Sequence, residues 1–232
     1  MITQFGDSSS RTACYARGVS PPIRLTKTVE DRFWLGVQAS QRFFMGDGEV
    51  HLALQKLVRT LDEQGIPYAI IGAMALNEFG YRRVTVDVDV LLTAESLAAF
   101  KANNLGRGYV EKFPGSRGLR DPEHGVDIDI ILAGSFPGDG KPKPVVFPDP
   151  AAAAERGARV ALLPLPRLIE LKLASGMTAP HRLKDLADVV ELVRAVHLPE
   201  GLAAELDPYV REKYLELWRA AQIEDPHNED AP

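Results

Sequence analysis

Two stretches, "RRVTVDVDVLL" (82–92) and "GVDIDIILAG" (125–134), alternate apolar residues with aspartates at a period of two. That period belongs to an extended strand, whose successive side chains point to opposite faces. Each stretch therefore sets branched apolar residues on one face and a carboxylate pair on the other, Asp87 with Asp89 and Asp127 with Asp129. Like charges so placed repel and suit a pleated strand poorly. The solvated face of an edge strand would account for one such pair. Two aspartate-bearing strands, with a glycine turn ahead of the first, favour a metal site instead.

The flanking pattern supplies the rest of an α/β unit. "EVHLALQKLVRTLDEQG" places Leu54, Leu57, Val58 and Leu61 on one helical stripe closed by Gly65. "PYAIIG" reads as a short buried strand ending at Gly72, followed at once by a brief helix, "AMALNEF", that Gly80 stops. Thr93 is placed to cap the helix "AESLAAFKANN", with Glu95 in its first turn. "ARVALL" is a last short strand. Beyond Pro164 the pattern turns helical: "PRLIELKLASG", then "APHRLKDLADVVELVRAV" with Leu183, Leu186, Val190 and Val193 inward, then "DPYVREKYLELWRAAQ". The expected class is α/β (α+β), a small mixed β-sheet with helices packed on it and a C-terminal helical segment. Residues 1–45 read as a poorly ordered leader with a short helix near "VEDRFWLGVQASQRFF", 46–165 as the α/β core, 166–222 as the helical segment and 223–232 as a disordered acidic tail.

Composition narrows the function classes. An apolar fraction of 45% and a charged fraction of 25% are those of a soluble globular protein. A net charge of −5 argues against a surface coated for duplex DNA, though not against a local basic groove. Cys14 is the single cysteine, so neither an internal disulfide nor a cysteine-based zinc site can form. No signal-peptide core or membrane span is legible, which makes the cytoplasm the expected compartment and a membrane partner unexpected.

Three groups of residues could carry chemistry. A helix starting directly after Gly72 offers free backbone N–H groups to a phosphate. Asp87 and Asp89 suit a hard divalent cation, which prefers carboxylate oxygens together with substrate phosphates. If the second aspartate strand lies beside the first, Asp129 completes a three-carboxylate cluster, with Asp127 as the rival on the same face. The third group is Lys172, on the otherwise apolar "LIELKL", with Asp185 and Asp188 one turn apart on the next helix and Arg182 and Lys184 beside them. Taken alone, Lys172 could snorkel to water and the aspartates could form a salt-bridged helix face.

Read together, "GAMALNEFGYRRVTVDVDVLL", "ELKLASG" and "RLKDLADV" resemble the DNA polymerase beta-like nucleotidyltransferase superfamily, and more closely its AbiEii/AbiGii toxin-type branch. The resemblance spans roughly residues 65 to 195 in order. It implies that Gly72 and Ala73 form the phosphate-facing turn and that Asp87, Asp89 and Asp129 hold Mg²⁺ or Mn²⁺. It further implies that Arg83 and Thr85 shape the nucleotide pocket, that Lys172 contacts nucleotide phosphates and that Asp185 fills the late acidic position. Ala73 departs from the pattern, because it offers an N–H but no hydroxyl. The implied reaction moves a nucleoside monophosphate from an NTP to a hydroxyl on an RNA end, a protein or a small molecule, in a toxin–antitoxin setting with an antitoxin protein as partner. An antibiotic-modifying nucleotidyltransferase and a non-catalytic nucleotide- or partner-binding module are the alternatives.

Two further segments read as loops. "GSFPGDGKPKP" (134–144) lacks the first glycine and the Ser/Thr of a Walker A motif and reads as a mobile connection near the Asp129 strand. "KANNLGRGYVEKFPGSRGLR" carries five basic residues against one acid and reads as a solvated loop, with phosphate attraction as the competing reading. The five histidines show no ligand spacing, and neither Ser175 nor Cys14 has a base partner nearby in sequence.

Overall fold

The computed structural model describes residues 29–157 and 159–223. The chain divides into a unit of residues 1–37 and a unit of residues 38–232. Of the first, the described part is the opening of helix α1 (Val29–Met45). The expected leader upstream of α1 and the acidic tail from 224 onward lie outside the described residues.

The second unit is built on one mixed seven-stranded sheet: β1 (Ala69–Ile71), β2 (Asp87–Leu92), β3 (Val110–Glu111), β4 (Leu119–Asp121), β5 (Val126–Leu132), β6 (Glu155–Arg156) and β7 (Ala161–Leu162), in the order β3-β4-β5-β2-β1-β7-β6. Strand β2 is central, antiparallel to β1 and parallel to β5. That position removes the edge-strand explanation for its aspartates. Helices α2 (Glu49–Glu63), α3 (Gly72–Glu78), α4 (Ala94–Asn104), α5 (Pro150–Ala153), α6 (Leu165–Thr178), α7 (Leu183–Ala195) and α8 (Pro208–Ala221) complete the unit.

The apolar periodicity explains the packing. Leu54, Leu57, Val58 and Leu61 of α2 are buried in one core with Val88 and Val90 of β2 and Ile128 of β5. Each such aliphatic side chain withdrawn from water contributes roughly 1.5–3 kcal/mol. Lys56, on the same helix, reaches the fully buried Asp121 at 2.7 Å and lies over the Tyr109 ring, tying α2 to β4. Thr93 caps α4 as expected, accepting from the Ser96 N–H at 3.0 Å.

The opening strand is shorter than its alternation suggests. Arg82 to Val86 form no strand, and Val86 is 78% exposed. β1 offers only three residues and pairs no further than Asp89, so the chain before Asp87 lacks a ladder partner. The Asn77 side chain holds this connection instead, donating to the Arg83 carbonyl at 2.7 Å and accepting from the Arg83 N–H at 3.0 Å.

The face of α7 also differs from the expected one. Leu183 is 64% exposed, Leu186 and Val190 are half-buried, and Asp185, Asp188, Val189, Leu192 and Val193 are buried. Ion pairs across to α6 add to the buried apolar stripe of Val189, Leu192 and Val193. Gly176 lets the two helices approach, since a Cβ there would sit 2.5 Å from Leu186 Cγ.

Candidate active site

The parallel pairing of β2 and β5 sets Asp87 opposite Asp127 and Asp89 opposite Asp129. Val88 and Val90 are buried while Asp87 and Asp89 are only partly so, which puts all four carboxylates on one face of two neighbouring strands. Ile71 pairs with Asp89, so Gly72 follows directly beside that carboxylate. Gly72 has φ +66°, and a Cβ there would overlap the Asp89 side chain, with Asp89 Cγ at 2.7 Å. Both the backbone and the close approach therefore require glycine.

These residues floor a cleft of about 650 Å³. Gly72, Asp89 and Asp129 line it from the strand ends, and Lys172, Ser175 and Asp185 from α6 and α7. Lys112, Phe113 and Arg117 line it from the β3–β4 turn, and Phe136, Pro137 and Gly138 from the 134–144 segment. Asp129 lines the cleft and Asp127 does not, while Lys112 reaches both carboxylates. Ala73 is buried and is not among the lining residues.

Electrostatically the floor is unbalanced. The Asp89 carboxyl is pushed up to about 6, first by burial and then by Asp87 and Asp129, with Lys172 and Arg182 pulling the other way. Among the described residues no protein group donates a hydrogen bond to it. Asp87 accepts the Thr85 hydroxyl. Lys112 Nζ lies 2.6 Å from Asp129 Oδ1 and 3.3 Å from Asp127 Oδ2, and Arg120 takes the other Asp127 oxygen at 2.7 Å. Burial acts to lower Lys112, but its bonds to Asp129 and Asp127 outweigh that and hold it above the ordinary lysine range.

A divalent cation fits the donor chemistry of Asp87 and Asp89: hard oxygens, excess negative charge, and one carboxyl that burial, and then its like-charged neighbours, make reluctant to ionise. Among the described residues no three His, Cys, Asp or Glu side chains are gathered as a ready metal cage, and Asp129 is turned onto Lys112.

The second charged group is satisfied throughout. Lys172 Nζ donates to Asp188 Oδ2 at 2.7 Å and to Asp185 Oδ1 at 3.1 Å, with its side chain 11% exposed. Arg83 reaches Asp188 at 2.8 Å, tying the segment before β2 to α7. Asp185 also accepts from Ser175 Oγ at 2.7 Å and Arg182 Nε at 2.8 Å. Burial raises the Asp185 carboxyl, but Lys172, Ser175 and Arg182 together bring it below the ordinary carboxylate range.

The structure places Gly72, Asp89, Asp129, Lys172 and Asp185 along one cleft, with Asp87 and Thr85 beside it, Arg83 anchored on Asp188 and Ala73 outside the lining. The sequence pattern did not single out Lys112, Arg117, Phe113 or the positioning residue Asn77. The basic count of 101–120 pointed to two of these. Nothing in a linear pattern marks Asn77 or an exposed Phe113. The 134–144 segment does adjoin the site, but it is held: Lys143 Nζ bonds the Pro137 carbonyl and Asp139 at 2.5 Å, and Gly138 packs tightly on α6.

No family model and no curated protein matches the sequence. Among solved structures the chain is similar to ANT(2″)-Ia in complex with adenylyl-2″-tobramycin, at 14% identity over 73% of this chain and 96% of that one, TM-score 0.45. It is similar also to the solution structure of the antibiotic-resistance factor ANT(2″)-Ia, at 16% identity over 74% and 91%, TM-score 0.41. A third is an antigenic nucleotidyltransferase-like protein from Paracoccidioides brasiliensis, at 17% over 62% and 75%, TM-score 0.40. Likenesses this remote leave the chain's own residues to carry its reading. Among the described residues no helix is long and apolar enough to cross a membrane.

Proposed function

We propose that the chain is a divalent-metal-dependent nucleotidyltransferase that moves a nucleoside monophosphate from an NTP to an acceptor hydroxyl. One observation carries the reading: in-register aspartates on parallel β2 and β5, with Gly72 against Asp89, on the floor of a roomy cleft. A bound Mg²⁺ or Mn²⁺ would supply charge neutralisation at the phosphates and a polarised acceptor oxygen. Asp87 and Asp89 would hold it, with Thr85 fixing Asp87. Asp129 orients the acceptor hydroxyl and takes its proton as the oxygen bonds the α-phosphorus and the bond to pyrophosphate breaks. Lys172 has three N–H donors, of which Asp185 and Asp188 take two, so the third is available to a phosphate.

Incubation with each α-labelled nucleoside triphosphate, with and without Mg²⁺, tests this. The expected result is metal-dependent labelling of an acceptor that disappears in the Asp87→Asn/Asp89→Asn protein. Labelling that survives the double substitution contradicts it. A toxin role predicts that expression slows growth of the host, whereas an antibiotic-modifying role predicts raised drug tolerance. A second reading, a non-catalytic binding module of the same fold, draws on Lys112, which already gives Asp127 and Asp129 a positive partner. It predicts no NTP-dependent labelling and no effect of the aspartate substitutions.

A further inference from the structure

The β3–β4 turn presents an exposed aromatic ring and an unpaired guanidinium at the mouth of the cleft. Phe113 is 64% exposed and lines the cleft. Arg117, four residues on, is exposed, lines the cleft and has no hydrogen-bond or ion-pair partner among the described residues. A single exposed ring is ordinary on a protein surface; what sets Phe113 apart is that it lines the cleft together with Arg117.

The turn is held rather than loose. The Phe113 carbonyl accepts from the Ser116 N–H at 2.9 Å, and the Lys112 N–H donates to the Gly118 carbonyl at 3.1 Å. Glu111 accepts from the Gly115 N–H at 2.8 Å and from Lys101 at 2.7 Å, and Lys101 also donates to the buried Ser116 carbonyl at 2.5 Å. Phe113 and Arg117 thus flank a braced turn whose other member, Lys112, contacts Asp129. The braced backbone spares binding the cost of ordering the loop, leaving only the two exposed side chains to be ordered.

We infer that Phe113 and Arg117 form an acceptor subsite for a nucleotide unit of a single-stranded nucleic acid, the ring stacking on its base and the guanidinium pairing with its phosphate. The inference rests on the nucleotidyltransferase reading for its chemical purpose, not for its binding test. Charge selects this class. Of the acids lining the cleft, Asp129 is paired with Lys112 and Asp185 with Lys172 and Arg182, leaving only Asp89 on the floor. A polyamine acceptor approaching the mouth would meet Arg117, Lys112 and exposed Arg182 without a free carboxylate to receive it. Stacking plus one guanidinium–phosphate contact is the arrangement by which protein surfaces take unpaired nucleotides.

Fluorescence anisotropy with a labelled eight-nucleotide single-stranded RNA tests the subsite on the full-length protein, with circular dichroism confirming the fold of each variant. Phe113→Ala and Arg117→Ala should each weaken binding by about tenfold, and Arg117→Ala should also reduce the salt slope by about one. Arg117→Lys should keep the salt slope while recovering only part of the affinity. Displacement of the probe by AMP as readily as by unlabelled RNA, still sensitive to both substitutions, would assign the subsite to free nucleotides. Binding unchanged in both variants, no binding by the wild type, or displacement by spermine alone would overturn it. The two readings fail separately. Variants that bind like wild type while NTP transfer persists remove the subsite, whereas RNA binding through Phe113 and Arg117 without any NTP transfer removes the enzyme reading.

Discussion

Two clusters of charge lie within one cleft wall of each other, and they are built on opposite terms. Between α6 and α7, Asp185 and Asp188 are buried, yet every charge has a partner in Lys172, Arg83, Arg182 or Ser175. On the β2–β5 face, Asp89 is largely buried among like charges, and its carboxyl rises to about 6. A satisfied buried network fixes the relation of helices to sheet, because removing either partner strands a charge. An unsatisfied one is a local cost, of a kind that clusters at functional sites. The comparison sets a satisfied network, from which only Lys172 is proposed to reach substrate, beside the carboxylates proposed to hold the cation.

Substitutions can break that comparison. The largest expected effect is on activity: Asp87→Asn/Asp89→Asn should lower NTP transfer by about 10³-fold or more while leaving the urea midpoint equal or higher. Loss of stability with retained transfer would reverse the assignment. Asp188→Ala should do the opposite, costing about 3–5 kcal/mol in urea unfolding because Lys172 and Arg83 lose their shared carboxylate. Leu192→Ala, deep in the α7 interface, should cost about 2–5 kcal/mol, whereas Leu183→Lys should stay within about 0.5 kcal/mol. Equal costs would restore the apolar stripe expected from sequence. Gly72→Ala should cost about 1–3 kcal/mol through its positive φ and the Asp89 overlap, with NTP transfer lost beyond what that destabilisation explains.

Much of this organisation was legible in the chain. The alternation of DVDV and DIDI fixed the strand faces, and pairing β2 with β5 needed only that the two lie side by side. The α2 stripe, the Thr93 cap and the helical C-terminal third followed from periodicity and cap chemistry. On α7, Val193 is buried and Leu186 and Val190 pack against the core as expected, while Leu183 is exposed and Asp188 turns inward, because hydrophobic pattern ignores ion pairs made across 105 positions, as between Arg83 and Asp188. The length of β2 was overestimated because the alternation of Val84 and Val86 continues past the last strand able to pair with it. Asn77 and the turn carrying Phe113 and Arg117 act through backbone contacts that no spacing encodes.

The central claim is that Asp87 and Asp89, which unlike Asp127 and Asp129 have no ion-pair partner among the described residues, form a site for a cation. With its folded-state value raised to about 6, Asp89 adds stability to the metal-free fold below about pH 4 and loses that contribution as pH rises through 6. Thermal unfolding in EDTA and in Mg²⁺, for the wild type and Asp89→Asn, measures this directly. In EDTA the variant should be more stable than the wild type at pH 7.5, by an amount on the order of 2–3 kcal/mol, and should lose most of that advantage at pH 4.5. Millimolar Mg²⁺ at pH 7.5 should raise the wild-type Tm and leave the variant unmoved. A wild-type Tm indifferent to Mg²⁺, together with a variant no more stable in EDTA at either pH, would contradict the account.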